Sequence, residues 1–201
     1  ASLKAVVVAR RHQREGAHEA GLSGAVAGLS KVLERFDPRF SSELPAVSQA
    51  GLREPLGKIL DVVAGHQNRF KEALAAEEPP RFMELPEFLV VAGELAVQLQ
   101  WFDEAKRAFE SVNSLRPSPW VRFQQAVLPA RQSQEARDAQ TAQELRAQAA
   151  SQLAGLLQET PDLVQAKAAL SFLYRQMNRF DEARAHALGR RTFAEQRALD
   201  G

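Results

Sequence analysis

His12, Glu15, His18 and Glu19 come nearest, in this 201-residue chain, to a set of side chains that could hold a metal ion. A helical zinc site needs imidazoles one turn apart with a carboxylate placed between them, as in HExxH or its inverse. The spacing here is neither, and Gly16 is expected to interrupt the helix that would hold the four together. The expected reading is a solvated helix end, with no metal. His66 and His186 each stand alone and read as surface or packing residues.

Nucleophilic chemistry has one candidate. Gly21-Leu22-Ser23-Gly24 resembles part of a serine-hydrolase elbow, but it lacks the second spacer and no strand precedes it, so the strained turn that exposes the serine cannot form. Ser23 is instead expected to cap a helix entry. The glycines from Gly21 to Gly28 are not followed by Gly-Lys-Ser/Thr and make no phosphate-binding loop.

Adjacent carboxylates occur at Glu77-Glu78, Asp103-Glu104 and Asp181-Glu182. Neighbours on a helix do not face each other, so these are poor acid/base dyads and good first-turn residues beside the positive end of the helix dipole. Arg10, Arg11 and Arg14 with His12 form the densest basic cluster, and Arg190-Arg191 a smaller one. Single-stranded nucleic acid would require aromatics beside such groups, and none lies near the first cluster. No catalytic constellation emerges, and neither enzyme activity nor a cofactor is expected.

Composition agrees. The formal charge of +1 and the 25% charged fraction describe an ordinary balanced surface, which points to no polyanionic partner for the whole molecule. With no cysteine there can be no disulfide, thiolate metal site or cysteine nucleophile. The preference for arginine over lysine and the heavy use of alanine suggest a GC-rich, bacterial coding sequence. The early apolar run, Ala5 to Ala9, is far shorter than the roughly 20 residues that span a bilayer. A cytoplasmic protein is expected, with export left open because the chain begins at Ala1 without methionine.

The elements that would position these residues are helices. Asp37-Pro38, Leu44-Pro45, Pro79-Pro80, Pro117-Ser118-Pro119 and Thr160-Pro161-Asp162 are the strongest stops. Between them Leu22, Val26, Leu29, Val32 or Leu33 and Phe36 advance by threes and fours, as do Leu56, Ile59, Leu60, Val63 and Phe88, Val91, Ala92, Leu95, Leu99. No segment alternates over strand length, so the expected class is all-α.

One phrase recurs. Gln100 to Phe109 reads QWFDEAKRAF and Asn178 to Ala187 reads NRFDEARAHA, each at the start of a helix that a short turn separates from the helix before it. An antiparallel helix pair is implied at both places. Asn68 to Leu74 echoes the phrase with Lys71 in place of aspartate.

With these residues the chain resembles the tetratricopeptide repeat, a helix pair of about 34 residues with small and aromatic side chains at fixed offsets. In 86–119, Gly93, Ala105, Phe109 and Pro117 fall in register. In 164–197, Leu170, Tyr174 and Ala183 do, with Ser171 in place of the usual glycine and Ala187 at the later aromatic position. Residues 120–163 form a longer unit, its excess at Arg131 to Gln148 read as a lengthened helix, and 54–85 a degenerate first repeat. Residues 1–53 are expected to be helices that cap the stack. The resemblance implies antiparallel pairs stacked as a short right-handed solenoid.

It also implies a concave groove for a peptide or partner helix. Carried over position by position, the groove would be lined by Glu87, Val90, Glu94, Val97 and Gln98, then Val121, Gln124, Leu128 and Arg131, then Gln165, Ala168, Phe172, Arg175 and Gln176. Val90, Glu94 and Gln98 stand where members that grip a terminal carboxylate use basic and amide residues, so a hydrophobic or amphipathic segment is the expected ligand. The expected role is a non-enzymatic interaction module: an adaptor, scaffold or chaperone-like protein with a polypeptide partner. The alternatives are a regulatory nucleic-acid-associated protein using the Arg10 to Arg14 cluster, and a self-associating subunit of a helical assembly.

Overall fold

The computed structural model describes residues 3–42, 44, 51–76 and 84–187, with the side chains of 3–15 left out. Every regular element among them is helical, so the chain is all-α. It divides into two compact units, residues 1–117 and 118–201.

The first unit begins with α1 (Leu3–Phe36), followed by a 3-10 turn at Pro38–Ser42, α2 (Arg53–Gly65), α3 (Gln67–Ala75), α4 (Glu84–Gln98) and α5 (Phe102–Leu115). Leu22, Val26, Leu29, Val32 and Leu33 form the buried face of α1, as their spacing requires. Contrary to the sequence expectation, Gly16 does not interrupt this helix and Ser23 caps nothing, since it lies deep inside 34 continuous helical residues. Packing explains the glycine at Gly28. A Cβ at Gly28 would overlap the Phe88 ring, and one at Gly21 would touch Leu95 at 3.4 Å. The two contacts, each seven residues from the next, run in opposite directions, so α1 lies antiparallel along α4. At Gly28 the room left for the Phe88 ring offsets the helix-propensity cost of glycine, about 1 kcal/mol.

Helices α4 and α5 form the antiparallel pair read from the repeated phrase, with Asp103 and Glu104 in the first turn of α5. Helices α2 and α3 pack on α5, and α2 also meets α1. Arg53 reaches Glu104 at 2.7 Å, and Arg107 donates to the Gly57 carbonyl and to Asp61, tying α2 to α5.

At the end of α1, Asp37 is buried and accepts hydrogen bonds from Arg39 and Arg69. The Arg69 guanidinium lies 5.2 Å from the centroid of the Phe36 ring, which packs at 4.7 Å on Phe70. This junction ties the end of α1 to α3.

In the second unit α6 (Pro119–Gln132), α7 (Ala139–Glu159) and α8 (Val164–Gln176) are followed by helical residues 180–187. Ser118 caps α6 by accepting from the Val121 amide, and Pro119 sits in the first turn, where its missing N–H costs nothing. The Arg131 to Gln148 stretch is not one helix. It is broken at 133–138, where the Ser133 hydroxyl donates to the Ala130 carbonyl and Asp138 caps α7 by accepting from the Thr141 amide and hydroxyl. Small and branched residues build the core: Ala126, Val127, Ala149, Ala150, Leu153, Leu156, Ala166, Leu170 and Leu173. Arg122 on α6 and Glu159 on α7 form a two-point ion pair at 2.6 and 2.7 Å.

Candidate functional site

The repeated phrase marks two congruent turns. After α4 the Gln100 amide donates to Val97 and the Trp101 amide to Ala96, at 3.1 and 2.8 Å; after α8 Asn178 donates to Arg175 and Arg179 to Tyr174 at the same two distances. This is the Schellman pattern, and Gln100 and Asn178 take its left-handed position with φ of 63° and 60°. The Asn68 echo does not share it: α3 already begins at Gln67, and the preceding His66 has φ of −114°.

Small residues then let the helices of each pair approach. A Cβ on Gly93 would stand 2.8 Å from Phe109, so the phenyl ring occupies the space a side chain would need. At the matching position Ser171 is buried and its hydroxyl donates to the Ala183 carbonyl at 2.9 Å. Ala105 and Ala183 are buried, Tyr174 is half-buried beneath the Arg179 guanidinium, and Pro117 is exposed after α5.

Burial sorts the residues carried over for partner binding. On α4, Glu87, Glu94 and Gln98 are exposed, Val90 is half-buried and Val97 is buried. On α6, Val121, Gln124 and Leu128 are buried and Arg131 is half-buried. On α8, Gln165, Ala168, Phe172, Arg175 and Gln176 are all exposed.

Two exposed stripes result. Along α4 runs Glu84, Glu87, Val91, Glu94, Gln98, spaced by threes and fours, with Val91 44% exposed. Glu87 holds Arg116 at 2.8 Å; Glu84 and Glu94 have no ion-pair partner among the described residues. Along α8 runs Val164, Ala168, Phe172 and Arg175, flanked by Gln165 and Gln176. Phe172 is 57% exposed and Val164 52%. Val164 on this stripe and Phe180 beyond the turn, 55% exposed, were absent from the positions carried over. The helical angle of Val164, one turn before Ala168, was the signal that places it there.

The remaining candidates hold no site. Among the described residues no group of three or more His, Asp or Glu could hold a metal. His66 packs on Phe40 and His186 on Tyr174, with ring centroids 4.8 and 5.7 Å apart. No described helix is long and apolar enough to cross a membrane. The side chains of Arg10, Arg11, His12, Arg14 and Glu15, together with Glu77-Glu78, Pro79-Pro80 and Arg190-Arg191, lie outside the described residues. Comparison of the chain with protein-family models, curated proteins and solved structures yields no match in any of the three.

Proposed function

We propose that this chain is a non-enzymatic protein-binding module of adaptor, scaffold or chaperone-like type, and that the exposed face of α8 receives a helical or extended segment of a polypeptide. The observation that carries the reading is Phe172. It occupies, 78 positions later and before a congruent turn, the place that Glu94 occupies on α4. One such position carries a solvated carboxylate and the other a large aromatic ring more than half in water. Val164 and Ala168 extend the ring into an apolar stripe, and Arg175 and Gln176 give it a polar end. A ridge of this kind suits helix-on-helix or peptide docking, where spaced apolar anchors supply affinity and flanking polar groups fix register.

The tetratricopeptide resemblance supports the same reading through its paired helices, its small-residue contact at Gly93 and its two matching turns. A cytoplasmic setting suits a chain without cysteine.

Site-specific photo-crosslinking in host lysate tests the proposal. A crosslinker at residue 172 should label a polypeptide that the same group at Gln152, an exposed position on α7, does not. Equal labelling from both positions, or none from either, overturns it.

A further inference from the structure

We propose that the polypeptide received by the α8 face is a second copy of this chain, presenting the acidic stripe of its α4. The inference rests on the proposed function in using that face, and it adds the occupant.

The argument is one of complementary charge. Helix α4, Glu84 to Gln98, contains three glutamates and no basic residue, and all three lie on its exposed stripe around Val91. Helices α6 and α8 contain no aspartate or glutamate at all. Short turns join α6 to α7 and α7 to α8, and the helices of each pair pack together, so α6 and α8 run parallel and their last turns share one end. Arg131 and Arg175 sit in those last turns, neither with an ion-pair partner among the described residues. One surface therefore carries two glutamates, Glu84 and Glu94, without an ion-pair partner among the described residues, around an apolar centre, and the other is apolar with a cationic end.

Charge also selects the mode of pairing. Joining α4 to α4 antiparallel about Val91 sets Glu87 against Glu94, and joining α8 to α8 leaves each Arg175 without a carboxylate, since that helix has none. Joining α4 to α8 pairs opposite charges and covers Phe172 and Val91 together. Such a contact uses different surfaces on the two copies, so it leaves one of each free and propagates until a ring closes or a filament grows.

Sedimentation velocity over a concentration series tests this without a partner in hand. Wild type should grow from monomer to larger species as concentration rises, and the growth should weaken as salt screens the contact. The Glu84→Lys/Glu94→Lys variant and the Arg131→Glu/Arg175→Glu variant should each stay monomeric, with circular dichroism confirming that both are folded. An equimolar mixture should associate again, because each variant offers a surface that fits the other. The inference is overturned by a wild type that stays monomeric throughout, by association that survives in both variants alone, or by a mixture that fails to associate. If wild type is monomeric while residue 172 still crosslinks a different polypeptide, only the occupant is wrong. A monomer with no selective crosslink at 172 removes the proposed function as well.

Discussion

Gln100 and Asn178, 78 residues apart, hold the same left-handed backbone conformation, φ 63° and 60°, and close the same two amide-to-carbonyl bonds behind them. Neither is glycine, so each pays the crowding of a Cβ in that region, which asparagine bears better than glutamine. Gln100→Gly should therefore stabilise the chain by about 0.5 to 1 kcal/mol, and Asn178→Gly by less. Urea unfolding of the two variants gives both values; a destabilised Gln100→Gly would mean that the glutamine side chain contributes more than its backbone costs.

Gly93 is set by a different constraint, the Phe109 ring 2.8 Å from where its Cβ would be. Gly93→Ala gains helix propensity of about 1 kcal/mol but must push the ring aside, and overpacking costs roughly 1 to 3 kcal/mol. Net destabilisation is expected. Phe109→Leu relieves the crowding at the price of a cavity, so the double variant should be more stable than the sum of the two single effects. Thermal unfolding of all four proteins measures the coupling, and additivity would contradict the contact.

These two positions also show what could be read from the sequence. Gly93, Phe109 and the turn before α5 lie within one short segment, where local spacing dictates packing, and the buried face of α1 follows from its apolar periodicity. Helix α1 runs through Gly16 and Ser23 because one glycine costs only about 1 kcal/mol in a helix whose Leu22 to Leu33 face is buried. The contacts at Gly28 and Gly21 come from residues 60 and 74 positions away, which no local pattern announces. The break at 133–138 had a legible signal in Ser133 and Asp138, both good capping residues, masked by the alanine and glutamine around them. Of the positions carried over for binding, those on α8 are all exposed, whereas Val97, Gln124 and Leu128 are buried, since offsets taken from a repeat pattern do not carry each helix's rotation.

Asp37 should make stability fall in acid. Hydrogen bonds from the Arg39 side chain first, then from the Arg39 amide and Arg69, hold its carboxyl well below the usual carboxylate range. A group depressed in the folded state stabilises it above the unfolded pKa, near 4, and loses that contribution as pH falls towards the folded value. Asp37→Asn should lower the Tm at pH 7, and the gap from wild type should narrow steadily below about pH 4. A gap independent of pH would assign the effect to packing at the Phe36–Phe70 junction instead of to the ion pairs.

The buried Ser171 hydroxyl offers a cleaner single-bond test. Its bond to the Ala183 carbonyl joins α8 to residues 180–187, and Ser171→Ala removes it while leaving the small volume this packing requires. A loss of about 0.5 to 1.5 kcal/mol is expected in denaturant unfolding. No change would mean that the carbonyl is equally well satisfied within its own helix.

Phe172 should behave oppositely to these buried groups. More than half of its surface is already in water, so Phe172→Glu gives up little burial and adds a carboxylate to an α8 that has none of its own. Exposed substitutions usually stay within about 0.5 kcal/mol, and the Tm of the variant should lie close to that of wild type. Binding should respond far more, because the ring would be lost and Arg175, one turn away, would gain an intramolecular carboxylate in place of an intermolecular one. A variant that unfolds early would show that the ring stabilises the fold, and would make Phe172 a packing residue with an exposed edge.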